Sequence, residues 1–207
     1  MLEDIIELME IEGRRRNAPV YRLKSFLKTP FHHLIFTVLS SRTRDEKTAE
    51  ACIKLFSKAD TPEKLSEMDV KEIEELIRGV GFYKVKAKRI KDLAKKVING
   101  VPDKYEELIK LPGVGRKTAN VVLASAFGKN AIGVDTHVHR ISNRIGLVST
   151  KTPEETEREL KKLFPEHLWA KINRAMVGFG QTVCKPQKPL CDECPIREYC
   201  KWYKLKA

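Results

Sequence analysis

The chain has 207 residues, of which 42% are hydrophobic and 33% charged, and it carries a formal net charge of +12. This composition is typical of a folded globular protein, and no segment approaches the roughly 18 consecutive apolar residues of a membrane span. The first residues lack the apolar run and cleavage site of a signal peptide, so we expect an intracellular protein whose positive charge favours an acidic partner, most often nucleic acid.

Apolar residues recur at helical spacing along almost the whole chain, beginning with the segment from Leu2 to Met9. Three pairs, Thr29-Pro30, Thr61-Pro62 and Thr152-Pro153, mark helix starts, because the hydroxyl can cap free amides while proline fits the first helical position. Strand-like alternation is rare. We therefore predict an all-α fold of about ten helices joined by short loops.

The segment from Arg78 to Gly100 is strongly basic, with eight lysines or arginines against one aspartate. Such a run is consistent either with a solvated helix face or with a surface that attracts a polyanion. Charge alone would give affinity for nucleic acid without sequence selectivity.

The segment Leu111–Ala119 contains two glycines, Gly113 and Gly115, separated by one residue. The glycines allow a tight reversal between a helix predicted over 105–110 and an apolar helix predicted over 118–127. The free amides at the start of the second helix can then bind phosphate, and Arg116 adds charge beside them. This is the pattern of a helix–hairpin–helix DNA-binding element, although G-x-G alone is also found in simple helix connections.

Lys117 and Asp135 are the candidate reactive side chains. Lys117 is expected in the first turn of a helix, next to Arg116. The positive end of the helix dipole and the charge of Arg116 both make loss of its proton easier, so Lys117 is either a nucleophile or a phosphate ligand. Asp135 opens a later helix, where an N-cap role is favoured over a carboxylate at a reaction centre. His137 and His139 are two residues apart and face different sides of that helix, so they are not expected to share a metal.

Four of the five cysteines lie within the last part of the chain, at spacing C-x6-C-x2-C-x5-C: Cys184, Cys191, Cys194 and Cys200. Four sulfur ligands suit either a zinc ion or an iron–sulfur cluster. Two disulfides would need an oxidising compartment, which nothing in the sequence indicates. The fifth cysteine, Cys52, lies on an apolar stretch and is predicted to be in the core.

The hairpin, the Val134–Arg140 segment and the cysteine loop, in this order and at this spacing, resemble endonuclease III DNA glycosylases from about Pro30 to Cys200. The resemblance implies two helical domains that flank a DNA-binding cleft. Residues 20–130 would form a six-helix domain with the hairpin, and residues 1–19 plus 131–207 would form the second domain with the cysteine loop.

The resemblance also implies the chemistry. The four cysteines would hold a [4Fe–4S] cluster. Lys117 would displace an oxidised pyrimidine of the thymine glycol type from C1′ and form a Schiff base, and Asp135 would stabilise positive charge on the sugar. β-Elimination would then cut the strand 3′ to the abasic site. The implied partner is double-stranded DNA with damaged bases or abasic sites, bound by a monomer in the cytoplasm or nucleoid.

A damaged base must leave the helix stack before it can react, so the enzyme needs a wedge that fills the gap. The wedge positions of the family correspond here to Arg42, where relatives often have glutamine, and to Phe82. Asp45 and His137 would line the lesion pocket, although Asp45 could instead cap the helix that follows it. Two lysines of the cysteine loop are expected to contact phosphates: Lys185 and Lys188.

Two other functions fit the same sequence. A mismatch glycosylase would act on uracil or thymine opposite guanine, because substrate choice depends on the shape of the pocket. A non-catalytic DNA-binding module would use the metal only to hold its structure, and its DNA binding would survive loss of Lys117.

Overall fold

The computed structural model describes residues 2–22 and 25–205, and every regular element in these residues is helical. The α-helices are α1 Leu2–Arg15, α2 Pro19–Arg22, α3 Pro30–Ser40, α4 Asp45–Phe56, α5 Pro62–Glu67, α6 Val70–Leu76, α7 Tyr83–Lys96, α8 Tyr105–Leu108, α9 Arg116–Phe127, α10 Thr136–Ile145, α11 Pro153–Leu163, α12 Trp169–Thr182 and α13 Lys201–Lys204. Short 3-10 turns cover Glu166–Leu168, Cys191–Glu193 and Arg197–Tyr199. The predicted all-α fold is confirmed. None of the described helices has the length and apolar character to cross a membrane.

The three Thr-Pro pairs begin helices as predicted. Thr29, Thr61 and Thr152 are the N-caps of α3, α5 and α11, and each hydroxyl accepts a hydrogen bond from a backbone amide three residues later. The structure has more helices than the predicted ten. Two of them, α2 and α13, have only four residues, which is too short for an apolar period to be recognised in the sequence. The helix predicted over 105–110 is present as α8, but it ends at Leu108.

The chain divides into two compact units, one formed by residues 23–129 and the other by residues 1–22 together with 130–207. In the first unit, α3 packs against α9 and α5 packs against α7. Cys52 is fully buried in this core, as predicted, and its burial raises the pKa of the thiol. The large buried side chains of this unit include Leu34, Ile35, Leu39, Leu55, Leu65, Ile73, Ile77, Ile90 and Leu93.

In the second unit, α1 packs along α12, and α10 packs against the same helix. Its apolar core includes Ile6, Met9, Ile141, Ile172, Met176 and Phe179. The buried carboxylate of Glu12 accepts hydrogen bonds from Arg15 and Arg16, which lower its pKa to about 2. Arg16 also donates to Glu193 of the cysteine loop at 2.6 Å, so α1 is tied to that loop.

Candidate catalytic, DNA-binding and cluster sites

The hairpin that joins α8 to α9 needs glycine at its first position. Gly113 has a φ of +79°, in the left-handed region. A Cβ atom there would lie only 2.0 Å from Cδ of Arg89, because the stem of that arginine passes over the glycine. Gly113 therefore meets a conformational and a steric requirement at once. The structure also places a second cation, Arg89, beside the predicted DNA-binding hairpin, and the spacing in the sequence did not predict this.

The second glycine leaves the start of α9 open. Gly115 is the N-cap of α9, no side chain makes a cap hydrogen bond there, and nothing lies within 4 Å of a Cβ atom placed on it. The helix begins at Arg116, two residues earlier than predicted, so its first turn directly follows the hairpin. The first-turn amides have no carbonyl of their own helix to bind, which makes this end a suitable anion site.

Lys117 lies in the first turn of α9 and is half-buried, whereas Arg116 beside it is exposed. One turn further on, Asn120 is almost fully buried, and its amide nitrogen has no hydrogen-bond partner in the structure. Sequence reasoning missed Asn120, because an asparagine within an apolar helix carries no spacing signal. Lys117, the predicted nucleophile, thus lies at the end of α9 that follows the hairpin.

Asp135 is the N-cap of α10, as its position in the sequence predicted. Its Oδ1 atom accepts hydrogen bonds from the amides of His137 and Val138, both at 2.9 Å. Two backbone donors hold the carboxylate in one orientation. Capping and a role at a reaction centre are therefore compatible, because one oxygen makes both cap bonds.

His137 faces Gly180 on α12. A Cβ atom at position 180 would lie 2.5 Å from its Nδ1, and Arg140 donates to the same Nδ1 at 3.1 Å. Arg140 also donates to the carbonyl of Cys184 at 2.8 Å, which links His137 to the cysteine loop. His139 bonds instead to Thr156 at 2.7 Å. The two histidines therefore have different hydrogen-bond partners among the contacts described.

The two predicted wedge residues lie side by side. The guanidinium carbon of Arg42 is 5.8 Å from the centre of the Phe82 ring, and Phe82 as a whole residue is 63% exposed. Both have positive φ angles, 53° and 58°, although neither is glycine. Such conformations cost roughly 1–3 kcal/mol each and are found mainly where function requires them. Sequence alone did not indicate this strain.

Asp45 is the first residue of α4, and the N-cap is Arg44. The carboxylate therefore lies in the first turn, where it interacts favourably with the helix dipole. Asp45 is not the cap itself, so the alternative of a capping role is wrong. Its place in a lesion pocket stays a prediction.

The four cysteines of the second unit, Cys184, Cys191, Cys194 and Cys200, line one cavity. Much of the remaining lining is apolar, including Phe179, Val183, Leu190 and Ile196. Four sulfur donors around one cavity with a largely apolar lining fit the four-cysteine ligand set of an iron–sulfur cluster.

Arg144 fixes the backbone on which this loop begins. It donates to the carbonyls of Lys185, at 2.8 Å, and Pro186, and its Nη1 lies 3.5 Å from Sγ of Cys184. The guanidinium stacks on the Trp202 ring at 4.8 Å. Lys185 and Lys188 are exposed on this ordered loop, so their ammonium groups are accessible to an anion.

Comparison with known proteins gives matches for the region that contains the hairpin and for the cysteine loop. Residues 35–166 match the model of the HhH-GPD superfamily base excision DNA repair protein, and residues 184–200 match the iron–sulfur binding domain of endonuclease III. Endonuclease III of Thermotoga maritima is 54% identical over 182 residues, covering 86% of this chain and 85% of the relative. Endonuclease III of Rickettsia conorii is 40% identical over 192 residues, covering 91% of each.

Solved structures agree with these matches. A trapped endonuclease III–DNA covalent intermediate has a TM-score of 0.88 at 35% identity, covering 99% of this chain and 96% of that one. A thermostable thymine-DNA glycosylase has a TM-score of 0.84 at 26% identity, covering 98% of this chain and 96% of the other.

Proposed function

The chain belongs to the endonuclease III family of base excision DNA repair proteins, and we propose from this how its own residues carry out the reaction. It is a bifunctional DNA glycosylase and AP lyase that holds a [4Fe–4S] cluster, and DNA is its partner. The observation that carries the residue assignments is the position of Lys117, in the open first turn of the helix that follows the phosphate-binding hairpin.

Lys117 is the nucleophile. Its neutral amine attacks C1′ of the damaged nucleotide, the C1′–N bond breaks, and the base leaves with the electron pair of that bond and takes up a proton. Opening of the sugar ring converts the amine adduct into a Schiff base. Loss of a C2′ proton then expels the 3′ phosphate, which cuts the strand by β-elimination. Phosphate bound at the amides after Gly113 and Gly115, with Arg116 beside them, would bring the sugar to this lysine.

Asp135 stabilises the positive charge that develops on the sugar as the base leaves, and it assists proton transfer. This proposal is supported by the two amide hydrogen bonds that fix its carboxylate before substrate binds, because a preoriented charge needs no reorganisation during the reaction.

Arg42 and Phe82 enter the base stack when the damaged nucleotide is extruded. Their adjacency, the exposure of Phe82 and the left-handed backbone of both residues support this role. Asp45 and His137 are proposed to line the pocket that receives the base. Lys185 and Lys188 are proposed to bind phosphates on the cysteine loop.

The proposed substrates are oxidised pyrimidines of the thymine glycol type, processed by a monomer that works on DNA in the cytoplasm or nucleoid. A second candidate is a mismatch activity on uracil or thymine opposite guanine. It is supported by the structural likeness to a thymine-DNA glycosylase.

Cys184, Cys191, Cys194 and Cys200 would hold the cluster, which supplies a rigid cross-link between the ends of the loop. The chain itself uses this rigidity to present its two exposed lysines. No step of base removal or strand cutting is assigned to the iron.

Borohydride trapping tests the assignment. Duplexes containing thymine glycol, an abasic site or a uracil–guanine mismatch are incubated with the wild-type protein, Lys117→Gln and the control Lys110→Gln. We expect a covalent band on the first two duplexes with wild type and control, and none with Lys117→Gln, which should still bind DNA. A band on the mismatch and abasic duplexes only would support the second candidate. Trapping by Lys117→Gln at the wild-type level would exclude Lys117 as the nucleophile.

A further inference from the structure

Lys86 on α7 is a buried lysine. Only 4% of it is exposed, and its Nζ atom donates hydrogen bonds to the carbonyls of Leu39, at 2.8 Å, and Ser41, and to the hydroxyl of Thr43, at 3.2 Å. Its charged neighbour is a second cation, Arg89. Burial, and then this repulsion, lower the pKa of Lys86 to about 8. A cation kept in such surroundings is costly, and its three oxygen partners are the compensation.

The three oxygens all belong to one short region. Leu39 lies in the last turn of α3, and Ser41 and Thr43 belong to the loop that follows it. The carbonyls at the end of a helix carry its partial negative charge, so an ammonium group is favourable there. Arg42, with its left-handed backbone, lies between the last two of these partners. Lys86 therefore holds the loop on both sides of Arg42.

The same network reaches the loop that carries Phe82. The hydroxyl of Thr43 accepts a hydrogen bond from the amide of Gly81 at 3.1 Å. A Cβ atom on Gly81 would lie 2.8 Å from the carbonyl oxygen of Arg42, so the two loops are in close contact at the glycine. Thr43 thus joins the ammonium group of Lys86 to the residue immediately before Phe82.

We propose that Lys86 is the positioning residue of the wedge, which it holds together by binding the Arg42 loop directly and the Phe82 loop through Thr43. Strained backbone conformations persist only where their surroundings fix them, and here the loops of two strained residues are linked through one buried donor. Without that donor, three oxygens lose a hydrogen bond and the two loops relax toward ordinary backbone angles. The inference rests on the proposed function in one respect, the wedge role of Arg42 and Phe82.

The two activities of the protein respond differently to a misplaced wedge. Removal of a damaged base requires its extrusion from the stack, which the wedge supports. An abasic site has no base to extrude, so strand cutting there depends much less on the wedge. A positioning residue for the wedge should therefore affect base removal selectively, whereas general destabilisation would lower both rates together.

The test is a double-mutant cycle between Lys86→Met and Phe82→Ala. Methionine keeps the length of the stem and removes the three donors. Base removal is measured in single turnover on whichever of the thymine glycol and uracil–guanine duplexes the wild-type protein processes faster, and lyase activity is measured on an abasic duplex. Lys54→Met, an exposed lysine of α4, is the control for loss of one positive charge.

We expect Lys86→Met to slow base removal about tenfold or more, with the lyase rate within about twofold of wild type. In the Phe82→Ala background the same change should slow base removal by no more than about a further twofold, because its effect acts through the wedge. Thr43→Val, which removes only the bridging hydroxyl, should reproduce the selective loss. This second variant tests the proposal even when Lys86→Met does not fold.

The proposal is overturned if Lys86→Met or Thr43→Val lowers both rates equally, or if the loss caused by Lys86→Met is undiminished in the Phe82→Ala background. An unchanged base-removal rate in Phe82→Ala alone would reject the wedge itself, and this proposal with it. Because Phe82→Ala alone retains Lys86, an unchanged rate in that variant tests the wedge role separately from the positioning role of Lys86. The choice of duplex keeps the test valid if thymine glycol is not the substrate.

Discussion

Replacement of Asp135 by asparagine and by alanine separates its capping role from its proposed catalytic role. Asparagine retains an oxygen that can accept from the amides of His137 and Val138, and it is among the best N-cap residues. Alanine removes both the cap and the charge. Asp135→Asn therefore removes the charge and keeps the cap, whereas Asp135→Ala removes both.

The expected magnitudes follow from these two bonds. Loss of the cap in Asp135→Ala should cost about 0.5–2 kcal/mol of unfolding free energy, and each kcal/mol lowers the melting temperature by roughly 2–4 °C in a chain of this size. Asp135→Asn should stay within about 0.5 kcal/mol of wild type. If the carboxylate stabilises charge on the sugar, both variants should lose base removal by a factor on the order of 10²–10³.

Thermal melts followed by circular dichroism and single-turnover base removal are the assays. Asp69 is a matched control, because it caps α6 by accepting from the amide of Lys71 at 2.8 Å and has no proposed part in the reaction. Asp69→Ala should lower stability by a similar amount without the loss of activity. Base removal by Asp135→Asn within about twofold of wild type would refute the catalytic role and leave the residue as a cap only.

Three further predictions concern other parts of the chain. Cys194→Ser should lose visible absorbance and bound iron, measured by spectroscopy and metal analysis, and a full iron content would remove Cys194 from the ligand set. Glu12→Gln should be destabilised by about 1–3 kcal/mol at pH 7 in thermal melts. The pKa of Glu12 in the folded protein is about 2, against an ordinary 4.5, so its carboxylate stabilises the fold fully above pH 4.5. The difference in stability between Glu12→Gln and wild type should therefore shrink as the pH falls toward 2, and a constant difference would contradict this. Gly113→Ala should displace Arg89 and weaken binding to an abasic duplex in a mobility-shift titration. Gly115→Ala should weaken it less, because a Cβ atom there meets nothing within 4 Å. Equal affinities of the two variants for the duplex would contradict the steric argument.

Features that depend on local spacing were predictable from the sequence. Thr-Pro pairs mark helix starts because cap and first-turn geometry involve only neighbouring residues. The same holds for the hairpin glycines and for the position of Asp135 at the start of α10. The spacing of the cysteines predicted a metal ligand set, and the match to the iron–sulfur domain of endonuclease III favours a cluster over zinc.

Features that depend on contacts between distant segments were not predictable. Lys86 is one of eight cations in the segment from Arg78 to Gly100, and nothing in that run distinguishes a buried ammonium from solvated ones. The left-handed backbone at Arg42 and Phe82 was also hidden, because the usual signal for such a conformation is glycine or asparagine. Both features lie where residues far apart in the sequence come into contact, and local spacing does not encode such contacts.

The pairing of α1 with α12 has a consequence for the order of events during synthesis. Helix α1 ends at Arg15 and α12 begins at Trp169, so the apolar face of α1 emerges from the ribosome long before the surface that covers it. At about 5–20 residues per second, the nascent chain carries this uncovered face for on the order of ten seconds or longer. The proposed ligand set is complete only once Cys200 has been added, so on this assignment the cluster forms long after α1 was made. The bond from Arg16 to Glu193 then joins the earliest helix to the latest loop.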